Sequence, residues 1–379
     1  MLRLVQWLRG REAAMARLLG QFVRAESPSD DKAALDRFGK LVAAEWKRRG
    51  AKVTFLRQSK GGNHIRAAWD PGGTRAKGQI LVLGHLDTVH VRGTLERMPF
   101  RFSRGRAYGP GAFDMKGGLV IALYAVDALV AMRCTPARRV VFLWTADEEI
   151  GSRSSRAIIE REARRSEAVL VLEPASGPDG RVKTGRKGVG EIEIIATGRA
   201  AHAGLNPEDG INAIDEIALQ IARISRWDDP RRGVTVNAGI IEGGTRANVI
   251  PERARVVVDL RAARAGDMRA LERKFYSLRP VLRGAKLEIG GGFNRPPLER
   301  KVSAALYART KTLAKEMGLA LGEASVGGGS DGSFTAALGV PTLDGLGAVG
   351  EGAHGLNENI VIRALPERAA LVAGLLANI

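Results

Sequence analysis

The sequence is poor in cysteine, in aromatic residues and in long apolar runs, and each shortage removes a class of protein. One cysteine, Cys134, among 379 residues excludes an intrachain disulfide framework and fits a reducing, cytoplasmic setting. No apolar run approaches the roughly 18 residues that a membrane-spanning helix needs, so no membrane association is expected. The N-terminal stretch from Met1 carries Arg3, Arg9, Arg11 and Arg17, which break up the apolar core of a secretory signal; it reads as one amphipathic helix. Aromatic residues make up 5% of the chain and are not interleaved with the 59 Lys and Arg, which outnumber 41 Asp and Glu to give a net charge of +18. That charge can draw anionic substrates inward. Scattered arginines without stacking surfaces nevertheless argue against nucleic acid as a partner.

The chain is 45% apolar and long enough for a large core, with two domains expected. Apolar runs at Gln79–Leu83, Val140–Thr145 and Ala168–Leu172 read as buried strands, and each delivers polar residues at its carboxyl end. The first leads to His85 and Asp87, the second to Asp147-Glu148-Glu149, the third to Glu173-Pro174. Open α/β sheets build their sites at that edge. Two glycine-rich loops add Asp114, in Tyr108-Gly-Pro-Gly-Ala-Phe-Asp-Met-Lys-Gly-Gly118, and His354, in Gly350-Glu-Gly-Ala-His-Gly355. A lone His-x-Asp or Glu-Glu is ordinarily structural or solvated, so the conjunction carries the argument.

Two imidazoles among carboxylates suit Zn²⁺ or a similar borderline metal, Co²⁺ or Mn²⁺ included, better than Mg²⁺ or Ca²⁺. His85, Asp114, Glu149, Glu173 and His354 exceed the needs of one catalytic zinc, whereas two ions sharing a carboxylate account for all five. Asp114 is the natural bridge. Asp87, two residues from His85, would fix the imidazole tautomer by accepting its other N–H. His64 and His90 fall outside these positions and read as structural.

Together with Ser27-Pro-Ser29, Gly84-His-Leu-Asp-Thr-Val89, His202-Ala-Gly204, Asn248-Val-Ile-Pro251 and Gly327-Gly-Gly-Ser-Asp-Gly332, these motifs resemble the M20 family of metallopeptidases across nearly the whole chain. Among its members the chain looks closest to glutamate carboxypeptidases, and it also resembles acetylornithine deacetylase and succinyl-diaminopimelate desuccinylase. The resemblance implies that His85 and Glu173 hold one metal, Glu149 and His354 the other, with Asp114 bridging and Glu148 as general base. It implies further that His202 reaches a partner subunit's site as an oxyanion donor, that Asn248 and Arg261 contact a substrate carboxylate, and that the Gly328 to Ser330 loop lines the substrate cleft. Arg295, in Gly290-Gly-Gly-Phe-Asn-Arg-Pro-Pro297, is a candidate partner for an acidic side chain, because a buried carboxylate needs a cation.

Residues 1–186 and 298–379 read as one discontinuous α/β domain, a mixed, largely parallel sheet with helices on both faces. Residues 187–297 read as an insert of order βαββαβ, the ferredoxin-like arrangement, whose free sheet edge suits homodimerisation. Its last strand is expected at Lys286–Ile289, and Pro71-Gly-Gly-Thr-Arg75 is expected to be a turn between strands. The function that follows is hydrolysis of a small N-acyl amino acid or peptide to release a free C-terminal amino acid. An N-acyl-amino-acid deacylase is the alternative, and a catalytically idle basic binding protein is the alternative of another class.

Overall fold

A computed structural model describes residues 1–70 and 78–379; the turn expected at Pro71–Arg75 lies outside the described residues. The chain divides into two compact units, the first made of Met1–Gly185, Arg300–Ser325 and Ser330–Ile379, the second of Arg186–Glu299 and Val326–Gly329. The short segment Val326–Gly329, which the sequence places in the first domain, groups with the second. Its backbone is the reason: Lys187 N–H donates to Val326 O at 3.1 Å, and Arg186 Nη1 donates to the carbonyls of Gly328 and Gly329 at 3.0 and 2.9 Å.

In the first unit a six-stranded sheet runs in the order Lys52–Leu56, His64–Trp69, Arg139–Thr145, Gln79–His85, Ser166–Val171, Thr342–Leu343. The last four strands are mutually parallel, and His64–Trp69 pairs antiparallel with both of its neighbours. Gln79–His85 is buried at every position, which is why it reads as an unbroken apolar run. Ile80 and Val82 face one core with the helices Gly117–Ala131 and Ala364–Asn378; Leu81 and Leu83 face another with Ile159 and Phe334. Helices therefore cover both faces. His85 pairs with Thr145, so the two central strands end level, and the strand continues through His85 where the sequence stops it at Leu83.

The N-terminal stretch forms two helices, Leu2–Arg9 and Glu12–Arg24, instead of one. Gly10 closes the first by donating to Gln6 O, and the Arg11 guanidinium folds back over the Trp7 ring at 3.4 Å. Among the described residues no helix is long and apolar enough to cross a membrane.

The second unit holds four antiparallel strands in the order Thr235–Gly243, Arg253–Ala262, Gly188–Thr197, Lys286–Arg295, with helices Ala213–Ile224 and Ala265–Tyr276 between them in the chain. Alternate residues Ile192, Ile194, Val256, Val258 and Leu260 bury against Ile217, Leu271 and Phe275. The last strand runs on to Arg295, beyond the expected Ile289. Its glycines permit this: Gly291 sits at φ 95°, and a Cβ there would lie 2.3 Å from the Glu191 carbonyl oxygen of the paired strand.

Candidate active site

The site of the first unit is assembled at the carboxyl edge of its parallel strands. His85 ends one strand; Glu148 and Glu149 follow Arg139–Thr145, and Glu173 follows Ser166–Val171. Asp114 lies in the turn before helix Gly117–Ala131, and His354 follows the short strand Gly350–Glu351 in the left-handed region at φ 66°. His85 Nε2 stands 3.2 Å from Asp114 Oδ1 and 3.3 Å from Glu173 Oε1. His354 Nε2 stands 3.5 Å from Asp114 Oδ2 and 3.4 Å from Glu149 Oε2. Each oxygen of Asp114 therefore faces a different imidazole, and each imidazole has a second carboxylate of its own.

Three carboxylates this close repel one another unless cations stand between them. The two imidazoles stand among them in that way. Burial opposes charge on His85, but its hydrogen bonds to Asp114, Asp87 and Glu173 hold its pKa well above the ordinary range. Hydrogen bonds to Asp114 and Glu149 push the His354 pKa up to about 10. Burial acts to raise the Asp114 pKa, and the two imidazoles overcome it and hold the group well below the usual carboxylate range. Burial raises Glu149. Its Oε1 is buried without a hydrogen-bond partner, and ligand atoms of His85, Asp114 and Glu149 lie within 4.8 Å of one another. An orphaned carboxylate oxygen among mixed nitrogen and oxygen donors is the chemistry of a divalent-metal site.

Asp87 is fully buried and holds this edge together. Its carboxylate accepts from Ser29 Oγ at 2.8 Å and from the main-chain N–H groups of Glu148 and Glu149 at 3.2 and 3.1 Å. For His85 Nδ1 the nearer acceptor is the Asp87 main-chain carbonyl at 2.9 Å, with the carboxylate at 3.4 Å, so the tautomer is fixed by backbone more than by the expected side chain. His64 is buried and structural in its contacts: Nδ1 accepts from Ala146 N–H at 3.0 Å while Nε2 meets Ser154 Oγ at 3.1 Å. His90 lies 2.7 Å from Glu358.

Ser330 is fully buried, and its Oγ donates to Asp344 at 2.5 Å and accepts from Gly332 N–H at 3.2 Å, so the side chain is committed within the fold. In the second unit the short strands Ala201–His202 and Val249–Ile250 pair, and Ala203 N–H donates to Asn248 O at 3.0 Å, bringing His202 and Asn248 side by side. His202 Nδ1 accepts from Gly204 and Leu205 N–H, both at 3.1 Å, so its neutral ring carries the proton on Nε2. Arg261 donates to Asp259 bidentately, through Nε and Nη2, both at 2.9 Å. Arg295 packs against Gly329, where a Cβ would lie 2.9 Å from its Cδ, and the Gly328 carbonyl is taken by Arg186.

Sequence reasoning missed Arg186, Asp331 and Glu358. Asp331 accepts from Thr145 Oγ1 at 3.1 Å and from Ser152 Oγ, gripping the loop that carries Glu148 and Glu149. Asp331 and Glu358 lie within or beside motifs already singled out, but nothing marks an acid in a polar loop as buried.

The sequence pattern of Peptidase family M20/M25/M40 matches residues 81–378. The chain belongs to that family. It is 31% identical over 377 residues to carboxypeptidase G2 of Pseudomonas sp. (strain RS-16), covering 97% of this chain and 90% of that one. It is 28% identical over 349 residues to succinyl-diaminopimelate desuccinylase of Dechloromonas aromatica (strain RCB), covering 87% and 90% of the two chains. The crystal structure of aminopeptidase PepT from Bacillus cereus ATCC 10987 shares the fold, with a TM-score of 0.81 at 22% identity over 97% of this chain and 98% of that one. Family membership and a donor set fitted to metal make the protein a metal-dependent hydrolase.

Proposed function

We propose that the protein is a dinuclear amide hydrolase that releases a free amino acid from a small N-acyl amino acid or peptide, in the manner of a carboxypeptidase. The observation that carries this reading is Asp114, whose two oxygens face His85 at 3.2 Å and His354 at 3.5 Å. In this reading His85, Glu173 and Asp114 would hold one divalent ion, and His354, Glu149 and Asp114 the other, with zinc the first choice. Such a pair, when bound, acidifies water and polarises the scissile carbonyl. Glu148 accepts the proton of the attacking water as its oxygen bonds to the carbonyl carbon. It then returns that proton to the amide nitrogen as the C–N bond breaks.

The protonated Nε2 of His202 suits donation to the developing oxyanion. We take the second unit to be the ferredoxin-like insert, cut near residues 187 and 297, and assign homodimerisation to its edge strand Thr235–Gly243. Ile240 and Ile241 on that strand are exposed, which supports the assignment. Asn248, Arg261 and Arg295 are assigned to substrate carboxylates, and the main chain of Gly328 to Ser330 to substrate contact. Arg261 must then exchange Asp259 for its ligand. The desuccinylase likeness supports a deacylase as the second reading.

Matched N-acyl-glutamate, N-acyl-leucine and N-acyl-ornithine substrates, with products identified by mass spectrometry, separate these readings. Release of free glutamate with the highest kcat/KM is the expected result. A clear preference for leucine or ornithine would end the acidic-substrate assignment, and no amide cleavage across the panel would end the reading itself.

A further inference from the structure

Glu358 is fully buried, and its carboxylate collects four hydrogen bonds. Oε2 accepts from Gly111 N–H at 2.8 Å and faces His90 Nε2 at 2.7 Å; Oε1 accepts from Phe113 N–H at 2.8 Å and Asp114 N–H at 2.9 Å. Three main-chain donors converge on one side chain only because the Gly109–Asp114 turn curls around it. Gly111 takes φ 71° within that turn, and a Cβ there would lie 2.5 Å from Thr88 Cγ2. The main chain adds its own tie, Gly109 N–H donating to Glu358 O at 3.2 Å. Asn359, the next residue, pairs with Tyr108 on one side and Glu351 on the other.

Glu358 thus sits where two loops meet. One carries Asp114, whose N–H it holds; the other carries His354, four residues earlier and already in the left-handed region. We propose that Glu358 is a positioning residue: it fixes the direction of the Asp114 carboxylate and its separation from His354, and so sets the spacing of the donors that would hold the metals. His90 serves it as the fourth donor, which gives that imidazole a role beyond packing. This rests on reading the site as a metal centre. It goes further by assigning the metal geometry to a carboxylate that donates no ligand atom.

The test is equilibrium titration of chelator-stripped protein with Zn²⁺, and with Co²⁺ read by its absorption spectrum. It compares wild type, Glu358→Gln and His90→Ala at a temperature where circular dichroism shows each variant folded. Glu358→Gln keeps the shape but turns an NH₂ group towards N–H donors, so Zn²⁺ affinity should fall about 10- to 100-fold, with a changed Co²⁺ spectrum. His90→Ala removes one donor of four and should cost less, and it decides the matter alone should Glu358→Gln not fold. Wild-type affinity and spectrum in every variant that folds, even with a lowered melting temperature, would reduce Glu358 to a structural anchor and overturn the proposal. Wild-type protein that binds no metal would instead sink the metal-centre reading on which the proposal rests.

Discussion

His354 is half exposed, yet two carboxylates hold its pKa at about 10, and that has a measurable sign. In protein stripped of metal, a raised imidazole pKa contributes stability that is fully present below its unfolded value of about 6.5 and is lost as pH rises through about 10. The depressed pKa of Asp114 works the other way, contributing above its unfolded value of about 4 and losing that contribution in acid. Chelator-treated protein should therefore melt highest between those unfolded values and lower as pH climbs to about 10. His354→Ala should flatten the alkaline side of that curve, and an unchanged slope would mean that His354 does not pair as described. Glu148 makes a separate prediction. Glu148→Gln should keep its metals and lose turnover by about 10²-fold or more. Near-wild-type rates would place the general base elsewhere. At this scale the proposed ligands could be picked out because each of His85, Glu149 and Glu173 lies at or just past an apolar run that reads as a buried strand. Glu358 was not legible: burial comes from the turn that wraps it, and no local pattern records that.

At the scale of elements, helix Gly117–Ala131 shows how the site depends on close backbone packing. A Cβ on Gly118 would lie 2.3 Å from the carbonyl oxygen of Leu172, the residue before Glu173 in the chain. Gly118→Ala should destabilise the fold by about 1–3 kcal/mol through overpacking and weaken metal binding by displacing Glu173. Thermal melting and a metal titration check both parts; a variant as stable as wild type would mean that the helix end yields easily. The parallel strands were readable because both faces are covered, so the sequence is apolar without alternation. Strand ends were less readable. Lys286–Arg295 runs through three glycines that resemble a terminator, and only pairing with Gly188–Thr197 explains why the strand continues. The break between Leu2–Arg9 and Glu12–Arg24 depends on one capping glycine and one arginine stacked on Trp7, which helical spacing alone does not distinguish from a continuous helix.

For the whole molecule, the change in texture near residue 187, where continuous apolar runs give way to alternation, is the sequence signal for an insert, and the chain divides into two compact units. The grouping of Val326–Gly329 has no such signal, because it depends on the Arg186 guanidinium and one main-chain bond from Lys187. Homodimerisation through the second unit and action of His202 across subunits make a joint prediction. Mixing inactive Glu148→Gln with inactive His202→Ala should restore part of the activity as subunits exchange. No recovery under demonstrated exchange would confine His202 to its own subunit or remove it from catalysis. In the proposed function Asp114 bridges two metals. Anomalous X-ray diffraction from zinc-loaded crystals tests this most directly: it should show two zinc peaks, roughly 3.5–4 Å apart, one on the His85 and Glu173 side and one on the His354 and Glu149 side of the Asp114 carboxylate. A single peak in fully active, zinc-saturated protein, or two peaks that do not share Asp114, would contradict it.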